Sequence, residues 1–238
     1  LSQSITPKTK LLILNSPSNP TGMLYSREEL QAIAEICVRH HVFVLSDEIY
    51  EKLIYDTDQY TSIASLGRDI RNLTITVNGV SKAYSMTGWR IGYAAGPQEI
   101  MDHVKNFQDH TTSNPASISQ AAALQALREP ETTILAMRDE FKKRRDIMIS
   151  SLDAIPGVSY LKPQGAFYLF CDFSRSGMPS AEMAQRILDE VKVAVIPGDS
   201  FGAPGFLRLS FATSAERIRE GVKRIGEWMK KTGGKIGS

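Results

Sequence analysis

Three short runs constrain the fold most: the apolar Leu11–Leu14 and Val42–Leu45, and the largely apolar, β-branched Leu73–Val77. Runs this brief and this apolar read as buried strands, and each gives way to a polar loop. After the first run comes Ser26-x-x-Glu29, a capping box, and then Leu30, Ile33, Ala34, Cys37 and Val38 at helical spacing. The order strand, helix, strand, helix or loop, strand favours a parallel sheet with helices covering it. In such sheets ligands collect beyond the carboxyl ends of the strands. Asn19, Asp47 and Lys82 each follow one of these strand ends, so the pattern predicts three polar groups on one rim.

The third run leads into Asn78–Gly92, which reads Asn-Gly-Val-Ser-Lys-Ala-Tyr-Ser-Met-Thr-Gly-Trp-Arg-Ile-Gly. A second apolar run, Ile91–Ala95, leaves it. Lys82 has small neighbours that let a ligand approach, and burial there would favour a neutral, nucleophilic amine. Arg90 lies among Trp89, Ile91 and Gly92, a setting that predicts burial and therefore an anionic partner.

Beyond Pro97 the pattern is helical to about Leu127, with a break at 111–115. A long charged helix follows, with Ile134, Met137, Phe141, Met148 and Leu152 on one face, ending near Pro156-Gly157. The texture then changes to short strands at Val158–Leu161, Ala166–Asp172, Val193–Ile196 and Phe206–Ala212. A helix from Ser180 to about Val191 interrupts them. A last helix starts at the box Thr213-x-x-Glu216 and stops before Gly233-Gly234, leaving a frayed tail. Residues 1–129 therefore read as part of a large α/β domain and 130–238 as a smaller α+β domain.

The 238 residues carry a net charge of +2 with the signs interspersed, which gives no electrostatic reason to invoke nucleic acid or an anionic membrane. No apolar run approaches the roughly 20 residues that span a bilayer. The first ten residues lack the apolar region of a signal peptide. Cys37 and Cys171 fall inside apolar patterns as small core residues, which fits a reducing cytoplasm.

Each motif also has a plain reading. Lys82 alone is a surface charge, Asp47 a helix cap beside an ordinary exposed Glu48, and Asn19-Pro20 a turn. Gly198-Asp-Ser-Phe-Gly202 matches the nucleophile-elbow string, but a strand follows it and all four histidines precede it, so no hydrolase triad is expected. His40-His41 has no third ligand at metal spacing, and no metal site is expected. Lys82 lacks a Walker phosphate loop.

Taken together, Asn-Pro-Thr-Gly (19–22), Ser-Asp-Glu-x-Tyr (46–50) and Gly-Val-Ser-Lys-x-x-Ser (79–85) with Arg90 resemble the class I/II aminotransferases, pyridoxal-phosphate enzymes of the aspartate aminotransferase fold. The resemblance continues through Lys-Pro-Gln-Gly-Ala-Phe-Tyr (162–168), Pro-Gly-Asp-Ser-Phe-Gly (197–202) and Leu-Arg-Leu-Ser-Phe-Ala (207–212). The wording is most similar to bacterial aspartate aminotransferases. It implies a large domain with a mainly parallel sheet and helices on both faces, plus a C-terminal α+β small domain. It implies that Lys82 holds the cofactor aldehyde as an aldimine and then shuttles the substrate proton. Asp47 would keep the pyridine nitrogen protonated, Tyr50 and Asn19 would bond the phenolic oxygen, and Arg90 would bind the phosphate. Arg208 would take the substrate carboxylate, with Asn19 beside it. Ser81 and Ser85 lie near the cofactor without an assigned contact, and the Asn19-Pro20 bond is commonly cis in the family.

The resemblance covers the carboxy-terminal three-fifths of the family's chain, without its phosphate-cupping loop, ring-stacking aromatic and partner-subunit tyrosine. Weak cofactor binding and poor turnover by this stretch alone are therefore expected. The implied activity is amino transfer from an L-amino acid, aspartate foremost, to 2-oxoglutarate, by a cytoplasmic homodimer. Aromatic, alanine and prephenate aminotransferases and β-eliminating lyases share these motifs. A ligand-sensing regulator domain and an inactive fragment are the non-enzyme alternatives.

Overall fold

The computed structural model describes residues 1–57 and 59–232. The chain divides into two compact units, Leu1–Pro17 with Leu24–Ile134, and Ser18–Met23 with Leu135–Ser238.

In the first unit, strand β1 (Leu11–Asn15) leads to helix α1 (Arg27–His40), followed by β2 (Phe43–Asp47). The short helix α2 (Arg68–Arg71) precedes β3 (Thr74–Gly79), and β4 (Gly92–Ala95), α3 (Gln98–Thr111) and α4 (Ser117–Arg128) complete it. The expected capping box forms: Glu29 N–H donates to Ser26 Oγ, and Glu29 Oε2 accepts from Ser26 N–H at 2.8 Å. Such a cap contributes about 0.5–2 kcal/mol. Leu30, Ala34 and Cys37 of α1 pack on Leu14 and Val44 of the sheet, with Ile63 and Ile70 closing the cluster.

The sheet order is β1-β2-β3-β4. The first three strands are parallel, as expected, and β4 runs antiparallel to β3. The reading of Leu11–Leu14 as a buried strand holds on one face only. Leu14 is 5% exposed, whereas Ile13 is 69% exposed. Alternate side chains leave a strand on opposite faces, and α1 covers only one of them. Every residue of β4 is exposed, and α3 buries none of its side chains.

The second unit is built on α5 (Thr132–Leu152), whose first turn begins in the first unit. Four antiparallel strands, β5 (Ser159–Tyr160), β6 (Tyr168–Asp172), β7 (Ile196–Pro197) and β8 (Phe206–Ser210), stand in the order β5-β6-β8-β7. Leu169, Cys171, Leu207 and Leu209 form the inner face. Met183 and Ile187 of α6 (Ser180–Val191) are buried, as are Ile218, Val222 and Ile225 of α7 (Ala215–Thr232).

Two boundaries differ from expectation. The predicted strand Val193–Ile196 shrinks to β7, because α6 ends in a left-handed residue, Lys192, with φ 57°, and the chain needs Val193–Val195 to turn away. At α7 the cap is Ser214, not Thr213: the Arg217 N–H donates to Ser214 Oγ. The predicted tail after Gly233 lies outside the described residues. Among those described, no helix is long and apolar enough to cross a membrane.

Candidate active site

In the first unit the parallel register puts Asn15 opposite Asp47 and Asp47 opposite Val77. The carboxyl ends of β1, β2 and β3 therefore lie side by side, with Asp47 ending β2 and Lys82 following β3, whereas Asn19, the third group expected there, belongs to the second unit. The Asp47 carbonyl accepts from Asn15 Nδ2 and from Ser16 N–H, and its carboxylate accepts from Ile49 N–H at 3.3 Å. These bonds fix the turn that carries Tyr50, which is 4% exposed.

Lys82 sits one turn beyond β3. Val80 and Ala83 are buried and anchor that turn, and Tyr84 N–H donates to the Val80 carbonyl across it. Lys82 is half-buried, with Nζ 6.0 Å from the Tyr50 ring centroid. Gly79 pairs with Gly92 where β3 and β4 meet. A Cβ on Gly79 would stand 3.1 Å from Gly92 Cα, so two glycines allow this close approach. Because these strands are antiparallel, the end at which β3 delivers Lys82 is the end at which β4 receives the chain from Arg90.

Arg90 corrects the sequence reading. It is exposed, in the left-handed region at φ 52°, and its Nη1 donates to the Thr87 carbonyl at 3.0 Å. Apolar neighbours in sequence do not bury it, because the turn before β4 carries it at an uncovered sheet edge; Trp89 is itself 42% exposed. Ser81 is half-buried and Ser85 exposed on the same turn.

The second unit holds the other two predicted residues. Arg208 lies on interior strand β8, opposite Phe170, on the face turned away from the helices. Its guanidinium carbon stands 4.3 Å from the Tyr168 ring centroid and 5.4 Å from that of Phe201. Nη1 donates to Asn19 Oδ1 at 2.6 Å, and the buried Nε has no hydrogen-bond partner. A guanidinium is a planar, delocalised cation whose fork matches the geometry of a carboxylate. Asn19-Pro20 is cis, as is Ser16-Pro17.

Two residues escaped the sequence reading. Glu48 is not an ordinary exposed acid: it is 3% exposed and accepts from the Ser46 and Ser62 hydroxyls at 2.8 and 2.7 Å. Burial pushes its carboxyl above the usual range, and Glu51 adds to this against the two hydroxyl bonds. The period-two series Val44, Ser46, Glu48 signalled that inward face. Arg145 is 0% exposed, and its place between Phe141 and Met148 on the apolar face of α5 was the available signal. Ser200 sits in a short 3-10 turn, Gly198–Phe201, and is exposed with a strand after it, which disposes of the elbow. Among the described residues no three His, Cys, Asp or Glu side chains gather to hold a metal ion.

The family model described as "Aminotransferase class I and II" matches residues 1–225. The chain belongs to that family. An aspartate aminotransferase of Geobacillus stearothermophilus is 47% identical over 234 residues, which are 96% of this chain and 60% of that protein. An aspartate/prephenate aminotransferase of Cereibacter sphaeroides is 44% identical, over 94% of this chain and 59% of its own length. A solved aromatic aminotransferase from Pyrococcus horikoshii superposes with a TM-score of 0.92 at 39% identity, covering 96% of this chain and 62% of that one. The chain thus spans about three-fifths of the length of the curated relatives it matches. Family membership and the aminotransferase fold agree with the resemblance read from the motifs.

Proposed function

We propose that this chain serves a pyridoxal-phosphate-dependent aminotransferase that moves the amino group of an L-amino acid, aspartate foremost, to 2-oxoglutarate. The observation that carries the reading is the half-buried Lys82 amine beside the Tyr50 ring at the sheet end that also receives Asp47. An amine, a phenol, a carboxylate and a guanidinium at one end of a sheet match the aldehyde, phenolic oxygen, ring nitrogen and phosphate of that cofactor. Bound pyridoxal phosphate supplies an electron sink for a carbanion at the substrate Cα.

The chain's own residues divide the remaining work. Lys82 would hold the aldehyde end and, once the amino substrate has displaced it, its Nζ would take the proton from the substrate Cα and deliver it to the former aldehyde carbon. Asp47 holds a proton on the ring nitrogen through its negative charge. Tyr50 donates to the phenolic oxygen, and Arg90 neutralises the phosphate as a delocalised cation. In the second unit, Arg208 takes the substrate carboxylate with its guanidinium fork, while Asn19 holds Nη1 in place. The Tyr168 and Phe201 rings attract the guanidinium through their π faces and help hold it there.

The reading includes a homodimer in the cytoplasm. The large exposed apolar side chains Phe107 and Ile118 support association, and two free, buried thiols suit a reducing compartment. Relatives named aspartate/prephenate aminotransferases favour prephenate as a second amino acceptor. The test is to add pyridoxal phosphate to wild-type and Lys82→Ala protein. A visible absorption band that appears only in the wild type is expected, and the same band in Lys82→Ala overturns the assignment. A panel of amino donors, scored by oxo-acid production, then ranks aspartate against aromatic amino acids and alanine.

A further inference from the structure

The second unit contains one large side chain that the reading above leaves unused. Arg145 lies on α5 with 0% exposure, the foremost fully buried side chain among the described residues. A buried guanidinium is tolerated only where its donors are met. Here Nε and Nη2 both reach Asp146 Oδ1 at 2.9 Å, and Nη1 donates to the Pro163 carbonyl at 3.0 Å. The fork therefore ties α5 to the loop between β5 and β6.

That loop in turn grips the segment carrying Asn19. The N–H groups of Gln164 and Gly165 both donate to the Gly22 carbonyl at 2.8 Å. Gly22 has φ +67°, and a Cβ there would stand 2.4 Å from Pro163 Cβ and 2.8 Å from the Gly165 carbonyl oxygen. Within the segment, Gly22 N–H donates to the Ser18 carbonyl and Ser18 N–H to the Met23 carbonyl. Asn19 thus rides on a small closed turn clamped to the 163–165 backbone, and it is otherwise exposed. Its Oδ1 meets Arg208 Nη1.

We propose that Arg145 is a positioning residue for the carboxylate grip: it sets the Pro163–Gly165 loop, the loop sets Gly22, and Gly22 sets Asn19 against Arg208. The inference rests on the assignment of Arg208 and Asn19 to the substrate carboxylate. A lysine at 145 keeps the charge but cannot span Asp146 and Pro163 together, because it offers one compact ammonium where arginine offers a fork.

The experiment measures succinate affinity by calorimetry in wild-type, Arg145→Lys, Arg208→Lys and the double variant, with folding checked by circular dichroism. Succinate has two carboxylates and no amino or oxo group, so it reports binding without turnover. Arg145→Lys is expected to raise the Kd about tenfold, within the range for coupled neighbours. The double variant is expected to bind within about twofold of Arg208→Lys alone, a non-additivity that a merely structural loss would not produce. A folded Arg145→Lys with wild-type affinity, or full additivity, overturns the proposal. If Arg208→Lys itself binds as wild type, the carboxylate assignment fails and takes this proposal with it. If Arg208→Lys weakens binding and Arg145→Lys does not, this proposal fails alone. Should Arg145→Lys not fold, Gly22→Ala probes the same relay at its other end. The same tenfold, non-additive loss is expected, and unchanged affinity overturns it.

Discussion

Arg208 Nη1 donates to Asn19 Oδ1 across 2.6 Å, joining residues 189 positions apart. One comes from interior strand β8 and the other from a six-residue segment, Ser18–Met23, that leaves β1 to join the second unit. A hydrogen bond to a charged partner is worth about 1.5–3 kcal/mol. Asn19→Ala is therefore expected to raise the KM for the amino donor roughly ten- to a hundredfold. Steady-state kinetics check this, and an unchanged KM shows that Arg208 holds its orientation without Asn19.

Glu48 gives a pH-dependent prediction. Its carboxyl is pushed above the ordinary value of 4.5, first by burial. Between that value and the raised one, the folded protein keeps a proton that the unfolded chain has released. This group's contribution to stability is thus complete below the ordinary value and is lost as pH rises through the raised one. Glu48→Gln keeps an acceptor for Ser46 and Ser62 without the charge. Thermal melts are expected to match wild type near pH 4 and to run a few degrees higher at pH 8. Glu48→Ala leaves both hydroxyls without that acceptor and costs about 1–3 kcal/mol.

At Gly198 a Cβ would stand 2.2 Å from the Ala203 carbonyl oxygen and 2.7 Å from that of Phe206. Both are backbone atoms and cannot swing away. Gly198→Ala is expected to destabilise by about 2–4 kcal/mol, read by denaturant unfolding. Ser200→Ala, at an exposed position of the same turn, should stay within about 0.5 kcal/mol. A larger loss at Ser200 would show that its hydroxyl helps hold the turn.

Both cysteines are 0% exposed and unpaired. Burial raises the Cys37 thiol and pushes Cys171 up to about 12. Neither is expected to react with a thiol-specific chromogenic reagent at pH 8 in the native protein, whereas denaturant should release two reactive thiols. Fast labelling of either without denaturant would show that its unit opens locally.

Sequence by itself determined most of the elements of both units and the family to which the chain belongs. Local signals suffice where neighbours in the chain carry the information. The Ser26–Glu29 box started α1 at Arg27, apolar runs placed β1 to β3, and Asn19, Asp47 and Lys82 were legible as residues after strand ends. It failed where burial depends on what packs from a distance. Ile13 is exposed in an apolar run, Arg90 is exposed among apolar neighbours, and Glu48 and Arg145 are enclosed despite their charge. Only the tertiary structure decided that Ser18–Met23 belongs with residues after 134, and that Arg145, Pro163 and Gly22 stand in line behind Asn19. Those links run through backbone carbonyls, whose chemistry is the same at every residue. No side-chain pattern can announce them, and folding alone brings them within bonding distance.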